Sequence, residues 1–310
     1  MRGWALFGAR SLGLIGLVAL GISGYSLLVL GLYGFTLFVI LPILLGCLTS
    51  WVVQPTTALR ASAVGAVAVA AGITAFVGAG LEGFICAIMS MPLSIPMGAV
   101  GGWLVFRRRT SGLALPNVAM ILLLPPASLV WDVTAPPPVF EVRSSIEVGA
   151  APEQVWPHVV AFPDLPEPHE WYFRAGLAYP IRARIEGVGP GAIRLCQFST
   201  GSFVEPIEIW NEPSLLRFRV ASSPAPMHEW SPWGDVHPKH LEGYMVSKQG
   251  QFKLTRLPGN RTLLQGTTWY QHGLWPAAYW RWWSDAIIHR IHLRVLTHIR
   301  TLAEQETSAR

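Results

Sequence analysis

The apolar pattern of the first half of the chain is nearly continuous. No charged side chain occurs from Ser11 to Leu59, more than twice the roughly 20 residues that one bilayer crossing needs. A break at Gly31-Leu-Tyr-Gly34 divides this stretch into predicted spans at about 12–30 and 34–53. Three more apolar segments follow, at about 62–81, 84–106 and 112–131. A cleaved signal peptide would end its apolar region after roughly 7–15 residues, whereas this one runs on, so the first segment reads as a span. Pro92 and Pro96 fall inside the fourth span and predict a kinked or broken helix, since each removes a backbone donor. Gly65, Ala68, Gly72 and Ala75, with Gly98, Gly101 and Gly102, would let helices approach closely.

Beyond Ala135-Pro-Pro-Pro-Val139 the pattern changes from runs to alternation. Three prolines cannot continue a helix and favour a stiff spacer. The chain therefore divides into a multi-span membrane domain (1–134), a proline hinge (135–138), a water-soluble domain (139–305) and a short tail (306–310). In the soluble part, period-two patterning predicts strands at 140–148, 180–188, 191–199, 202–210, 214–221, 244–257 and 261–272. Ala151-Pro-Glu-Gln opens a helix with proline and an acidic residue in its first turn. A final helix of nearly 30 residues runs from about Pro276 to Glu304.

That order of elements resembles the helix-grip fold of the START-related, polyketide cyclase-like (SRPBCC) superfamily. Three features carry the resemblance: Ala150-Ala-Pro-Glu-Gln-Val-Trp156 entering the first helix, the glycine turn Gly187-Val-Gly-Pro-Gly-Ala-Ile-Arg194, and the long terminal helix. The segment Cys196–Pro206, Thr268-Trp-Tyr270 and Tyr279-Trp-Arg-Trp-Trp-Ser-Asp285 also look like a membrane-anchored bacterial subgroup of that superfamily, from which no function carries over. The expected architecture is an N-terminal all-α transmembrane bundle of about five helices plus a C-terminal α+β domain, a curved antiparallel sheet wrapped on the last helix. The resemblance further implies an apolar cavity between sheet and helix, in which members hold a lipid, sterol or aromatic molecule and a minority catalyse cyclisation or dehydration.

Charge refines the picture. Up to Asp132 there are six arginines and two acidic residues; the remainder holds 17 basic and 16 acidic residues. The arginines (Arg2, Arg10, Arg60, Arg107–Arg109) sit beside spans rather than forming a patch that could track a phosphate backbone, which argues against nucleic acid as a partner. With five spans and a cytoplasmic N-terminus, every one of them falls on the cytoplasmic side, and Glu82 and Asp132 on the other. This predicts an integral protein of a bacterial plasma membrane with its C-terminal domain outside the cytoplasm. Glu82 itself lies at a span end and reads as a boundary residue. Cys47, Cys86 and Cys196 show no CxxC spacing and predict neither disulfides nor a thiolate zinc site.

Candidate chemistry concentrates in the second half, where all nine histidines lie. On the last helix Arg281, Asp285, Ile288, His292, Val295, Ile299 and Leu302 form one stripe bordered by His289. Asp285 and His289, at i and i+4, are spaced to hydrogen-bond; they would serve with His292 as a general acid/base or a polar anchor for a ligand head group, or simply as a satisfied pair joining the helix to the sheet or to Arg281. Asp285, His289 and His292 with His272 also have metal-like spacing, but match no established ligand motif. Arg194 and Glu205 lie on neighbouring predicted strands, either as an ion pair or with Glu205 as a buried acid. The expected ligand-binding set is Arg194, Phe198, Glu205, Trp269, Tyr270, Trp283, Asp285, His289 and His292, with catalytic candidates Asp285, His289, His292 and Glu205, and with no metal or cofactor. Trp275, Trp280, Trp282 and Trp283 cluster at the start of the last helix, either as a membrane-facing mouth or as core, and the aromatic loop 222–240 is long enough to act as a lid. The function this supports is binding of a hydrophobic small molecule or lipid at the bilayer. The alternatives are a cyclase, dehydratase or hydrolase acting in the same cavity, and a protein-interaction module whose partner the residues do not identify.

Overall fold

The computed structural model describes residues 31–111 and 118–308. Contacts divide the chain into two compact units. Of the described residues, the first holds those up to Pro136 together with Glu229–His240 and Gly273–Trp280; the second holds Pro137–His228, Leu241–His272 and those from Arg281 onward.

Four helices are described in the first unit: α1 (Thr36–Val53, opening with a π-helical turn), α2 (Ala58–Gly78), α3 (Phe84–Ser111) and α4 (Val118–Thr134). The first three are long and apolar enough to cross a membrane. The span expected at 12–30 lies outside the described residues. Helix ends find the partners that orphan backbone groups require. Thr57 accepts from the backbone N–H of Arg60 at the start of α2. The Asp132 carboxylate, near the end of α4, accepts from the N–H groups of Phe35 (2.8 Å) and Thr36 (3.0 Å) and so caps α1.

α3, expected to be kinked or broken at its prolines, runs from Phe84 to Ser111 without a break, although it contains both Pro92 and Pro96. Its neighbours α1 and α2 pack along it, and a proline is tolerated in a membrane helix where surrounding helices complete the packing. Glycine makes that packing possible. A Cβ on Gly98 would stand 2.4 Å from Val69 Cγ2 and 2.6 Å from the Gly65 carbonyl oxygen, and one on Gly46 would stand 2.0 Å from the Gly98 carbonyl oxygen. The unit also includes a short hairpin, β6 (Glu229–Ser231) with β7 (Gly234–Val236), which the hydrophobic pattern did not announce.

The second unit is a seven-stranded, wholly antiparallel, curled sheet closed by a long helix, the helix-grip architecture. Its strands are β1 (Val139–Val148), β2 (Pro180–Glu186), β3 (Ile193–Phe198), β4 (Gly201–Asn211), β5 (Leu215–Arg219), β8 (Met245–Leu257) and β9 (Arg261–His272), in the spatial order β1-β9-β8-β5-β4-β3-β2. Helices α5 (Pro152–Val160) and α6 (Trp171–Arg174) follow β1, and α7 (Ala277–Ser308) ends the chain. The turn between β2 and β3 carries Gly187, Gly189 and Gly191 at φ of 90°, 83° and 92°, a left-handed backbone that side chains strongly disfavour. Core side chains come from the inner strand faces and from α7: Val148, Leu216, Leu264, Leu296 and Ile299 are fully buried. Each such burial contributes about 1.5–3 kcal/mol, and together they fix which stripe of α7 faces the sheet.

Candidate functional site: a cavity under the last helix

The stripe of α7 turned toward the sheet carries Ile288, Ile291, His292, Val295 and Leu296. β9 presents Gly266 opposite it, where a Cβ would meet Leu296 and His292 at the ordinary contact distances of 3.6 and 3.8 Å. Between helix and sheet lies a cavity of about 150 Å³. Phe162, Phe198, Phe203, Phe218 and Phe252 provide most of its apolar wall. Residues 223–227, part of the stretch read as a lid, also line it, while Glu229–His240 belongs to the other unit.

Besides Ser223, Ser247, Gln249, Gln251 and Thr267, two polar arrangements reach this wall. The first is the pair formed by Arg194 on β3 and Glu205 on β4, which are register partners across the ladder. The Arg194 side chain donates through Nη1 to Glu205 and through Nε to the Val160 carbonyl (3.1 Å). Its guanidinium carbon lies 5.5 Å from the ring centres of Phe162, Phe218 and Phe252, close enough for cation–π attraction. Burial pushes the Glu205 carboxyl above its ordinary range, and Arg194 partly offsets that. The two residues form a buried ion pair. Cys196, beside them, is pushed up to about 12, chiefly by burial and then by Glu205, so it remains a thiol.

The second feature is a chain of polar groups along α7. Ser144 Oγ, on β1, lies 2.7 Å from His289 Nδ1 and 3.1 Å from His292 Nδ1. His292 Nε2 lies 2.7 Å from Thr268 Oγ1 on β9. Burial, with His289 nearby, lowers the His292 pKa to about 4, so its imidazole is neutral at pH 7.

The sequence-derived site residues therefore separate. Arg194, Phe198, Glu205 and His292 line the cavity; Trp269, Tyr270, Trp283, Asp285 and His289 do not. The expected Asp285–His289 hydrogen bond does not form. Asp285 instead accepts from Tyr270 OH (2.6 Å) and Arg281 Nε (3.0 Å), and His289 turns to Ser144. Trp269 donates to Glu141 (3.0 Å) under the Arg217 guanidinium, and Trp283 packs edge-on against Trp282. Trp275 and Trp280 pack against Phe35 and Phe38 respectively, inside the first unit. Sequence reasoning missed Ser144 and Thr268. The signal for Ser144 was available: it interrupts the buried face Val142–Ser144–Ile146–Val148 of β1, and a polar residue on an inward face needs a partner.

No protein-family model matches the chain, and no curated protein matches it. Among solved structures it is similar to norcoclaurine synthase from Thalictrum flavum, with 10% identity over 56% of this chain and 99% of that one and a TM-score of 0.37. It is also similar to the Zhui aromatase/cyclase from Streptomyces sp. R1128 (13% identity, 55% of this chain, 96% of that one, TM-score 0.35) and to the protein XoxI from Bacillus cereus (13%, 54%, 97%, 0.36).

Proposed function

We propose that the helix-grip unit binds an apolar small molecule or the apolar part of a lipid, and that the apolar helices hold it at a membrane. The observation that carries this reading is the cavity under α7, aromatic and aliphatic over most of its wall, with His292, the Arg194–Glu205 pair and a few hydroxyl and amide side chains as its polar points. Binding sites for small molecules combine such a wall with a few polar groups that orient the ligand. Its volume also sets a scale: engineered apolar cavities of about 150 Å³ accept a molecule the size of benzene. The part of the ligand enclosed in this conformation is thus one ring or a short acyl segment.

Binding is favoured over catalysis because the charged and imidazole groups that could carry chemistry are already engaged. Both His292 nitrogens face hydroxyls, Glu205 is held by Arg194, and Asp285 and His289 lie off the cavity wall. A general acid or base needs a free lone pair or proton within reach of the substrate. Orientation in the membrane belongs to the same proposal. Arg60 stands at the start of α2 and Arg107–Arg109 near the end of α3, whereas Glu82 lies in the turn joining them. With α4 taken as one further crossing, the positive-inside rule would put the arginine ends in the cytoplasm and the C-terminal unit outside it.

The test is mass spectrometry of organic extracts from the full chain purified in detergent, beside an Ile291→Trp variant that fills the cavity. The proposal expects a stoichiometric apolar molecule in the wild type and its loss from the variant. Equal extracts from two folded proteins would sink it.

A further inference from the structure

The first unit holds a polar cluster that the ligand-binding reading does not use. It forms at the N-terminal end of α3 from residues 143 and 154 positions apart. Cys86 Sγ lies 2.8 Å from His240 Nε2. The Glu229 carboxylate accepts the backbone N–H groups of Ile85 (3.1 Å) and Cys86 (2.7 Å), which fixes its oxygens beside the thiol. Sulfur, imidazole nitrogen and carboxylate oxygen all come within 4.8 Å of one another. Behind the imidazole, His240 Nδ1 lies 3.7 Å from Glu82 Oε2, and the other Glu82 oxygen accepts from Tyr33 OH. His240 is only 6% exposed and Glu229 only 1%. His240 Nδ1 and Glu82 Oε2 make no hydrogen bond among the described residues. Tyr33, Glu82, Cys86 and His240 line a cavity of about 210 Å³ whose remaining walls are largely apolar.

Capping of α3 accounts for the two N–H bonds to Glu229. It does not account for a thiol and an imidazole brought to the same point, nor for a second carboxylate behind that imidazole. A nucleophilic cysteine fits less well than a metal ligand, because a carboxylate at the sulfur opposes the thiolate that a nucleophile needs. A dication relieves that conflict by neutralising thiolate and carboxylate together. An imidazole backed by a carboxylate through its far nitrogen is the usual outer support of a metal-bound histidine. We propose that Cys86 Sγ, His240 Nε2 and a Glu229 oxygen bind a divalent transition metal. Glu82, itself held by Tyr33, orients His240, and a fourth coordination position opens on the cavity. Thiolate with imidazole selects a zinc-like ion over magnesium or calcium. Tetrahedral zinc would set sulfur and nitrogen roughly 3.5 Å apart. Binding therefore widens the Cys86–His240 contact by less than about 1 Å and releases the thiol proton to solvent.

Cobalt(II) added to the full chain in detergent, after treatment with a chelator, tests this. A thiolate-to-cobalt charge-transfer band should saturate at one equivalent and disappear when zinc is added. Cys86→Ser should abolish the band and Cys47→Ser should retain it. Glu82→Gln should keep the band while weakening affinity roughly 10–100-fold, the range for loss of an outer support. No band in the wild type, or a band that survives Cys86→Ser or His240→Gln, overturns the proposal. If the variants do not fold, alkylation of the wild-type protein decides: zinc should slow modification of Cys86, mapped by peptide mass spectrometry. An unchanged rate overturns the site.

Discussion

At the scale of single residues, the cavity wall combines two buried polar arrangements with opposite sensitivities. Removing one partner of a buried ion pair leaves an uncompensated charge, at a cost of about 3–5 kcal/mol, whereas replacing both by apolar residues is often neutral. Arg194→Met should therefore destabilise the protein by roughly that amount, and Arg194→Met with Glu205→Leu by much less, as read from thermal unfolding of the full chain in detergent. His292 predicts a pH dependence. Its pKa is lowered to about 4 in the folded protein, against about 6.5 unfolded. Between these values the unfolded chain binds a proton that the folded chain refuses, so stability falls as pH drops from about 6.5 to about 4 and is unaffected by this group above pH 7. The loss is up to about 3 kcal/mol, and His292→Gln should flatten that part of the profile. Residue-scale chemistry was half legible in the sequence. Arg194, Glu205 and His292 were read from pattern because strand register and helical stripe brought them inward. Asp285 and His289 do not bond each other, because spacing on one helix cannot reveal that Tyr270 and Ser144, on strands, compete for them.

At the scale of elements, the strands and α7 fall within a few residues of their expected positions, because alternation and stripe are properties of each segment alone. The hairpin β6–β7 was not legible. Its six residues are too few to show a period, and Glu229 matters only through its contact with α3. Helix packing in the first unit was legible as a set of small residues, but the structure separates those that matter from those that do not. At Gly98 an added Cβ would meet Val69 at 2.4 Å and backbone at 2.6 Å; at Gly72 its nearest neighbour would be a Leu45 methyl at 3.7 Å. Gly98→Leu should accordingly lower the thermal midpoint of the detergent-solubilised chain sharply or prevent its accumulation. Gly72→Ala should be neutral or slightly stabilising, since alanine is favoured over glycine inside a helix by about 1 kcal/mol. Equal behaviour of the two variants would contradict close approach at Gly98.

At the scale of the whole molecule, three apolar helices and a helix-grip sheet occur in one chain, and on the proposed function the sheet unit would meet its ligand in or near the bilayer. In spheroplasts of a bacterial host, the account expects a C-terminal tag to be cleaved by externally added protease. Protection until lysis would reverse the proposed orientation. The central claim is that an apolar ligand enters the cavity under α7. Photolabelling tests it most directly, using the full chain in lipid vesicles and a fatty acid that carries a diazirine on its acyl chain. The account predicts crosslinks on cavity residues of α7 and β8, such as Ile291, Val295 and Phe252, suppressed in Ile291→Trp. Label confined to the apolar helices α1 to α3, and unchanged in that variant, would contradict it.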